Sequence, residues 1–109
     1  MYFIYHICTK KAWQCAQEKG FYLGNNRDQK DGFIHMSTAQ QVQKTALKYY
    51  LHEKDLLLLK MNTAVLEPNL KWEGNSCGEI FPHFYNPLSL KDVETALPFS
   101  PQTFPYETL

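Results

Sequence analysis

Glycine is sparse and scattered in this 109-residue chain; its five glycines never cluster, which removes a phosphate-cradling glycine-rich loop. An excess of charge of one sign is also missing. Eleven Lys and Arg balance eleven Asp and Glu, so no overall field draws the protein to nucleic acid or to a membrane surface, although a local basic patch is compatible with that balance. Arginine occurs once, as Arg27. Cys8, Cys15 and Cys77 are odd in number, at spacings that match neither a disulfide framework nor a paired zinc motif, and point to a reducing, cytoplasmic setting. The apolar runs are short. The first ends at about residue 8, ahead of Lys10 and Lys11, in the wrong order for a signal peptide, and none could span a bilayer as a helix. Linkers, repeats and low-complexity tracts are absent.

What is present suits one domain over residues 1–109, 44% apolar and 15% aromatic. Residues 2–8 read as a strand, and Thr9 caps a helix over 10–19 that Gly20 stops. Residues 21–31 are rich in turn formers and read as a loop. Asp31-Gly32 turns into Phe33-Ile34-His35-Met36-Ser37, an alternating strand with His35 and Ser37 on one side. Thr38-Ala39-Gln40-Gln41 is a capping-box pattern for a helix over 39–52 that buries Val42, Ala46, Leu47 and Tyr50. Asp55 opens Leu56 to Met61, too short and too apolar for a surface helix and therefore a central strand, and Asn62-Thr63 turns the chain. Leu70 to Glu73 and Glu79 to Tyr85 are further strands, the second pushed to an edge or a bulge by Pro82. Ser89 caps a short helix from Leu90 to Leu97, and Pro98, Pro101 and Pro105 make the end extended. The sum is an α+β fold with two to three helices and no repeated βαβ unit.

The chemistry-bearing residues concentrate on histidine. From the residues alone, His35 is either a satisfied core imidazole, with Ser37 as a cap, or a pocket residue able to bind, move protons or ligate metal. His6, in an apolar strand, and His83, in an aromatic one, are open to the same two readings. His52 ends a helix, where a cation suits the dipole. Glu73 and Glu79 are either strand-edge charges or carboxylates that orient a ribose hydroxyl or act as a base. Arg27, in a loop, is either solvent-facing or a phosphate contact. A zinc site drawn from the histidines with Cys8 or Cys77 lacks ligand spacing of the usual kind, so no metal is expected. No local signature surrounds any cysteine to mark a catalytic Cys–His pair.

The ordered set Ile4-Tyr5-His6-Ile7, Trp13 to Tyr22, Asp31 to Thr38, Asp55 to Leu59, Leu70 to Glu73 and Phe81 to Leu88 resembles the bacterial domain-of-unknown-function family 952, from about residue 2 to 98. That family is grouped by fold with the ADP-ribosyltransferases, which implies short, mostly antiparallel strands in a split or strongly bent sheet. A further similarity is to the catalytic lobe of the NAD-using RNA 2′-phosphotransferases. Ile4 to Thr9 resembles its Leu-Tyr-His-Gly-Thr strand, with Ile7 in place of the glycine. Phe33 to Ser37 resembles its His-Val-His-Leu-Ser strand, with Phe33 in place of the first histidine. The resemblance implies that His6 faces the ribose and nicotinamide side of NAD, and that His35 and Ser37 line the same cleft. It implies a nucleotide ligand for a transferase or glycohydrolase, with Glu73 and then Glu79 as the carboxylate, and His83 and Tyr85 at the ligand. Tyr5, Phe33 or Tyr85 would stack on a ring. The alternative is a non-catalytic nucleotide-binding or protein-interaction module with a vestigial pocket.

Overall fold

A computed structural model describes residues 2–101. In chain order the elements are β1 (Phe3–Thr9), α1 (Lys10–Lys19), β2 (Phe21–Tyr22), α2 (Asn26–Asp31), β3 (Ile34–His35), α3 (Ala39–Tyr49), β4 (Leu56–Asn62), α4 (Thr63–Leu66), β5 (Leu70–Gly74), β6 (Ile80–Phe84), β7 (Leu88–Ser89), a 3₁₀ turn (Leu90–Asp92) and β8 (Val93–Phe99). The described strands form three antiparallel sheets, ordered β1-β4-β8, β2-β7 and β3-β6-β5. The fold is α+β with four α-helices among the described residues.

Strand β4 is central because Leu56 to Leu59 are buried on both faces of its sheet. On one face Leu57, Leu59 and Met61 join Ile4 and Cys8 of β1, with Ala16 of α1 and Met36, Leu70 and Phe84 beyond them. On the other, Leu56 and Leu58 join Tyr5 and Ile7, closed by Val42 and Ala46 of α3 and by Phe99. Each fully buried leucine contributes about 1.5–3 kcal/mol to this double-sided core. Helix α1 starts where the Thr9 hydroxyl accepts the Ala12 N–H at 3.1 Å and stops at Gly20, whose φ of 89° is left-handed.

Proline 82 sets the course of the chain past His35. It lies in β6, the middle strand of its sheet, opposite Trp72 of β5. The Met36 N–H donates to the Pro82 carbonyl at 3.0 Å, and Pro82 has no N–H to return. The ladder ends there. One residue on, Ser37 pairs instead with Tyr5 of β1 through two 2.7 Å backbone bonds. The segment from Ile34 to Ser37 thus leaves one sheet and joins another. On the face of the first sheet that carries Leu70 and Phe84, the rings of Trp72 and Tyr2 meet at 5.8 Å.

Several expectations are corrected. Residues 21–31 hold β2 and α2 rather than a loop, because Asn25 and Asp28 cap each other reciprocally. Pro82 is in a middle strand, tolerated because its missing donor faces the end of β3. The helix expected over 90–97 is a single 3₁₀ turn followed by β8, whose Leu97, Ala96 and Thr95 pair with Leu58, Leu59 and Lys60; pairing with β4 overrides the local cap signal. Helix α3 ends at Tyr49, and Leu47 is exposed rather than buried. Asn62-Thr63 begins the one-turn helix α4. Pro105 lies outside the described residues.

Candidate functional site

The site is built from a helix cap. Asn25 Oδ1 accepts the Asp28 N–H at 2.9 Å, and Asp28 Oδ2 accepts the Asn25 N–H at 2.8 Å, which starts α2. Gly24, with φ of 94°, must be glycine; a Cβ there would lie 2.5 Å from the Asp28 Cβ. Gly32 ends the helix in the left-handed region and turns the chain back, so that His35 returns to Asp28. Asp28 Oδ1 accepts both the His35 backbone N–H at 3.0 Å and its Nδ1–H at 2.5 Å. His35 Nε2 lies 3.0 Å from Asp31 Oδ2. A buried carboxylate therefore fixes His35 through backbone and ring at once. Burial opposes the charge of Asp28, but the bonds from His35, the nearby His6 and the Asn25 N–H outweigh it and hold its carboxyl below the usual range.

Behind this pair sits His6, buried in β1. Its Nδ1 faces the His35 carbonyl at 2.6 Å and its Nε2 the Tyr22 hydroxyl at 2.8 Å. A carbonyl can only accept, so Nδ1 carries the proton and Nε2 accepts from Tyr22. Burial pushes the His6 pKa down, against the pull of Asp28, in keeping with this neutral tautomer. Both nitrogens of His6 are committed to the fold.

His83 pairs with His35 across β3 and β6, on the same face. Their ring centroids are 5.6 Å apart, inclined at 72°. Phe33 stacks on His83 at 4.0 Å and touches His35 at 4.6 Å and Tyr85 at 5.2 Å. Glu73 Oε1 accepts from the Tyr85 hydroxyl at 2.6 Å and from His83 Nδ1 at 2.8 Å. Those two bonds, that from Tyr85 first, hold the Glu73 carboxyl below its usual range. His83 Nε2 has no hydrogen-bond partner among the described residues.

These groups border a cleft of about 340 Å³ between α3 and the β5–β6 hairpin. His35, His83, Phe33, Phe81 and Ser37 line its floor, and His6 touches it from below. Tyr49, Tyr50, Arg27, Lys44 and Lys48 supply the other wall. The Arg27 guanidinium lies 4.1 Å over the Tyr49 ring. Lys44 Nζ reaches Glu79 Oε1 at 2.7 Å, and Gln41 Nε2 donates to the Ile80 carbonyl at 2.7 Å, so α3 is clasped to the hairpin at the cleft mouth.

Of the residues singled out from sequence, His35, Ser37, His83, Arg27, Glu79 and Phe33 share this cleft, with His6 beneath it. Glu73 and Tyr85 do not line it; they reach it through His83. Tyr5 is buried in the core. Ser37 Oγ donates to Thr45 Oγ1 at 3.3 Å, tying the cleft floor to α3. Sequence reasoning missed Asp28, Tyr22, Asp31, Lys44 and Lys48. The signal for Asp28 was legible as an Asn, an acid three residues later, and a glycine four beyond that, which is a short capped helix. Cys8 is buried, its thiol pushed up to about 12 by burial and then by Asp28, which makes it inert. Among the described residues, no three His, Cys, Asp or Glu side chains are grouped to hold a metal ion, and no helix is long and apolar enough to cross a membrane.

Comparison with known proteins gives relatives of the same shape. The crystal structure of protein CC0527 from Caulobacter crescentus is 37% identical, with a TM-score of 0.83, covering 86% of this chain and 82% of that one. The solution NMR structure of CC0527 gives 36% identity and a TM-score of 0.82 over 92% of this chain and 86% of that one. No curated protein matches the chain. The family model described as "Protein of unknown function (DUF952)" matches residues 7–96, and the chain, with its capped helix, paired histidines and clasped cleft, belongs to that family.

Proposed function

We propose that the cleft binds a nucleotide, NAD being the leading ligand, and that the protein is a nucleotide-directed transferase or glycohydrolase on an ADP-ribosyltransferase-like fold. One observation carries this reading: aromatic rings and three cationic side chains converge on a single cleft. Phe81 and the uncovered faces of Phe33 and Tyr49 would take a base or nicotinamide, and Arg27 and Lys48, with Lys44 held by Glu79 beside them, would take an anionic phosphate. The volume of about 340 Å³ lies near the lower end for small-molecule sites and suits one nucleotide unit, with the rest of a dinucleotide extending past the rim. NAD would supply a nicotinamide–ribose bond whose cleavage builds positive charge on the ribose. Glu73 would serve that charge through His83, while Glu79, which lines the cleft, is held by Lys44, and the Ser37 hydroxyl would accept from or orient a ribose hydroxyl.

The second reading, a binding module without turnover, is favoured by a specific observation. Glu73 does not line the cleft, and both His35 nitrogens are held by carboxylates. Titration of ¹⁵N-labelled protein with AMP, ADP-ribose and NAD separates the two. Shifts at the amides of Arg27, Ser37, Thr45 and Lys48 are expected below millimolar ligand. Nicotinamide release that is lost in Glu73→Gln marks the enzyme, and binding without release marks the module. Unmoved amides with all three ligands at millimolar levels would sink the nucleotide reading.

A further inference from the structure

We propose that His83 and His35 form a metal-independent acid–base pair that hydrolyses a small cyclic ribonucleotide phosphodiester in the cleft. The inference rests on the nucleotide reading of the cleft but not on NAD. Four features of the geometry carry it. The two imidazoles are cross-strand partners with centroids 5.6 Å apart, a separation that lets one phosphate lie against both. Each has Nδ1 bound to a carboxylate, His83 to Glu73 at 2.8 Å and His35 to Asp28 at 2.5 Å, which turns Nε2 of each ring away from its anchor. His83 cannot swing, because Phe33 covers its face at 4.0 Å while Glu73 holds its edge. Across the cleft Lys44 is paired with Glu79, which leaves Lys48 and Arg27 as the cations that would face the negative charge of a phosphodiester.

The two rings differ in a way that assigns their roles. His83 Nε2 is unpartnered among the described residues and offers its lone pair. His35 faces carboxylate oxygens with both nitrogens, so in its imidazolium form it donates to Asp28 and Asp31, the latter at 3.0 Å and on the exposed side. In the reaction, His83 Nε2 takes a proton from water as the water oxygen bonds to phosphorus. The ester P–O bond breaks, and the leaving ribose oxygen takes the Nε2 proton of His35, which is released from Asp31. Water is added across one P–O bond, no electrons change hands, and proton exchange with solvent restores both rings. Glu73 and Asp28 are positioning residues. A polymeric substrate is disfavoured because the chain has no net positive charge and the cleft holds one nucleotide unit.

The experiment follows adenosine 2′,3′-cyclic phosphate by ³¹P NMR in the presence of EDTA, with 5′-AMP binding measured separately by amide shifts. Turnover to adenosine monophosphate is expected. His83→Gln should lose roughly 100-fold or more in rate, with its amide spectrum and AMP binding retained. Glu73→Gln should lower kcat and displace the pH profile of kcat/KM, because the carboxylate no longer sets the basicity of His83, whereas a smaller folded fraction scales the profile without moving it. AMP binding with no cyclic phosphate turnover by the unmutated protein overturns the pair and leaves the nucleotide cleft standing. Absence of both overturns the two together. Turnover abolished by EDTA, or unchanged in both His83→Gln and His35→Gln, also overturns the pair.

Discussion

Histidine 6 and Asp28 are buried titratable groups a few ångströms apart, and each leaves a mark on stability. The His6 pKa is lowered in the folded protein, so below its unfolded value of about 6.5 the unfolded chain binds a proton that the folded one refuses. Stability therefore falls as pH drops from about 6.5, with a slope of up to about 1.4 kcal/mol per pH unit until the folded pKa is passed. Asp28 has a lowered pKa too; its contribution is present above about pH 4 and is lost as pH falls through the folded value. Urea unfolding between pH 7 and 3 should show two stages of loss, the first removed by His6→Gln. A flat profile from pH 7 to 5 would contradict the burial of a neutral His6. At this scale strand alternation put His35 and Ser37 on one side of the chain, whereas His83 joined them only through what the family resemblance implies, and its place opposite His35 comes from the pairing of β3 with β6. The sequence could not separate His6, whose nitrogens are spent within the fold, from His83, whose Nε2 is free of described partners. Tertiary hydrogen bonds make that distinction.

The element that governs the site is α2, only six residues long. Its value lies in its two ends, since the Asn25 cap creates Asp28 as a bidentate anchor and Gly32 returns His35 to it. Two glycine substitutions separate cap geometry from packing. Gly20→Ala meets open space and carries only the left-handed backbone cost, about 1–2 kcal/mol. Gly24→Ala adds a collision with the Asp28 side chain and should cost at least about 1 kcal/mol more, with displaced His35 amide and ring resonances. Equal losses in thermal unfolding would mean that Asp28 yields freely. Elements with strong local signals were legible, among them α1 with Thr9 and Gly20, α3 with its capping pattern, and β4 from its leucine run. The misreadings have separate causes. Helix α2 is too short to show periodicity, and β8 is a strand only because β4 is there to pair with it.

Across the whole molecule, a sheet with apolar residues on both faces lies between α1 and α3, and a second sheet hangs beside it. Leu59 is fully buried at the middle of β4, where it touches the larger of the two clusters. Leu59→Ala should cost 2–5 kcal/mol in chemical denaturation. A cost below 1 kcal/mol would show that the β4 leucines are not the centre of stability. The α+β class was readable from composition and element order. The division into separate sheets was not readable from composition or element order; only the family resemblance implied a split or strongly bent sheet, and in the structure the pairing of β3 with β6 ends at Pro82 while Ser37 passes to Tyr5. Trp72 carries an optical consequence of that division. It projects from the face of its sheet opposite Glu73 and His83 and rests on Tyr2, the residue that leads into β1. Its emission is therefore a gauge of how the two sheets sit against each other. A ligand that fills the cleft without moving them leaves tryptophan fluorescence dark to binding, while one that pries them apart announces itself in colour.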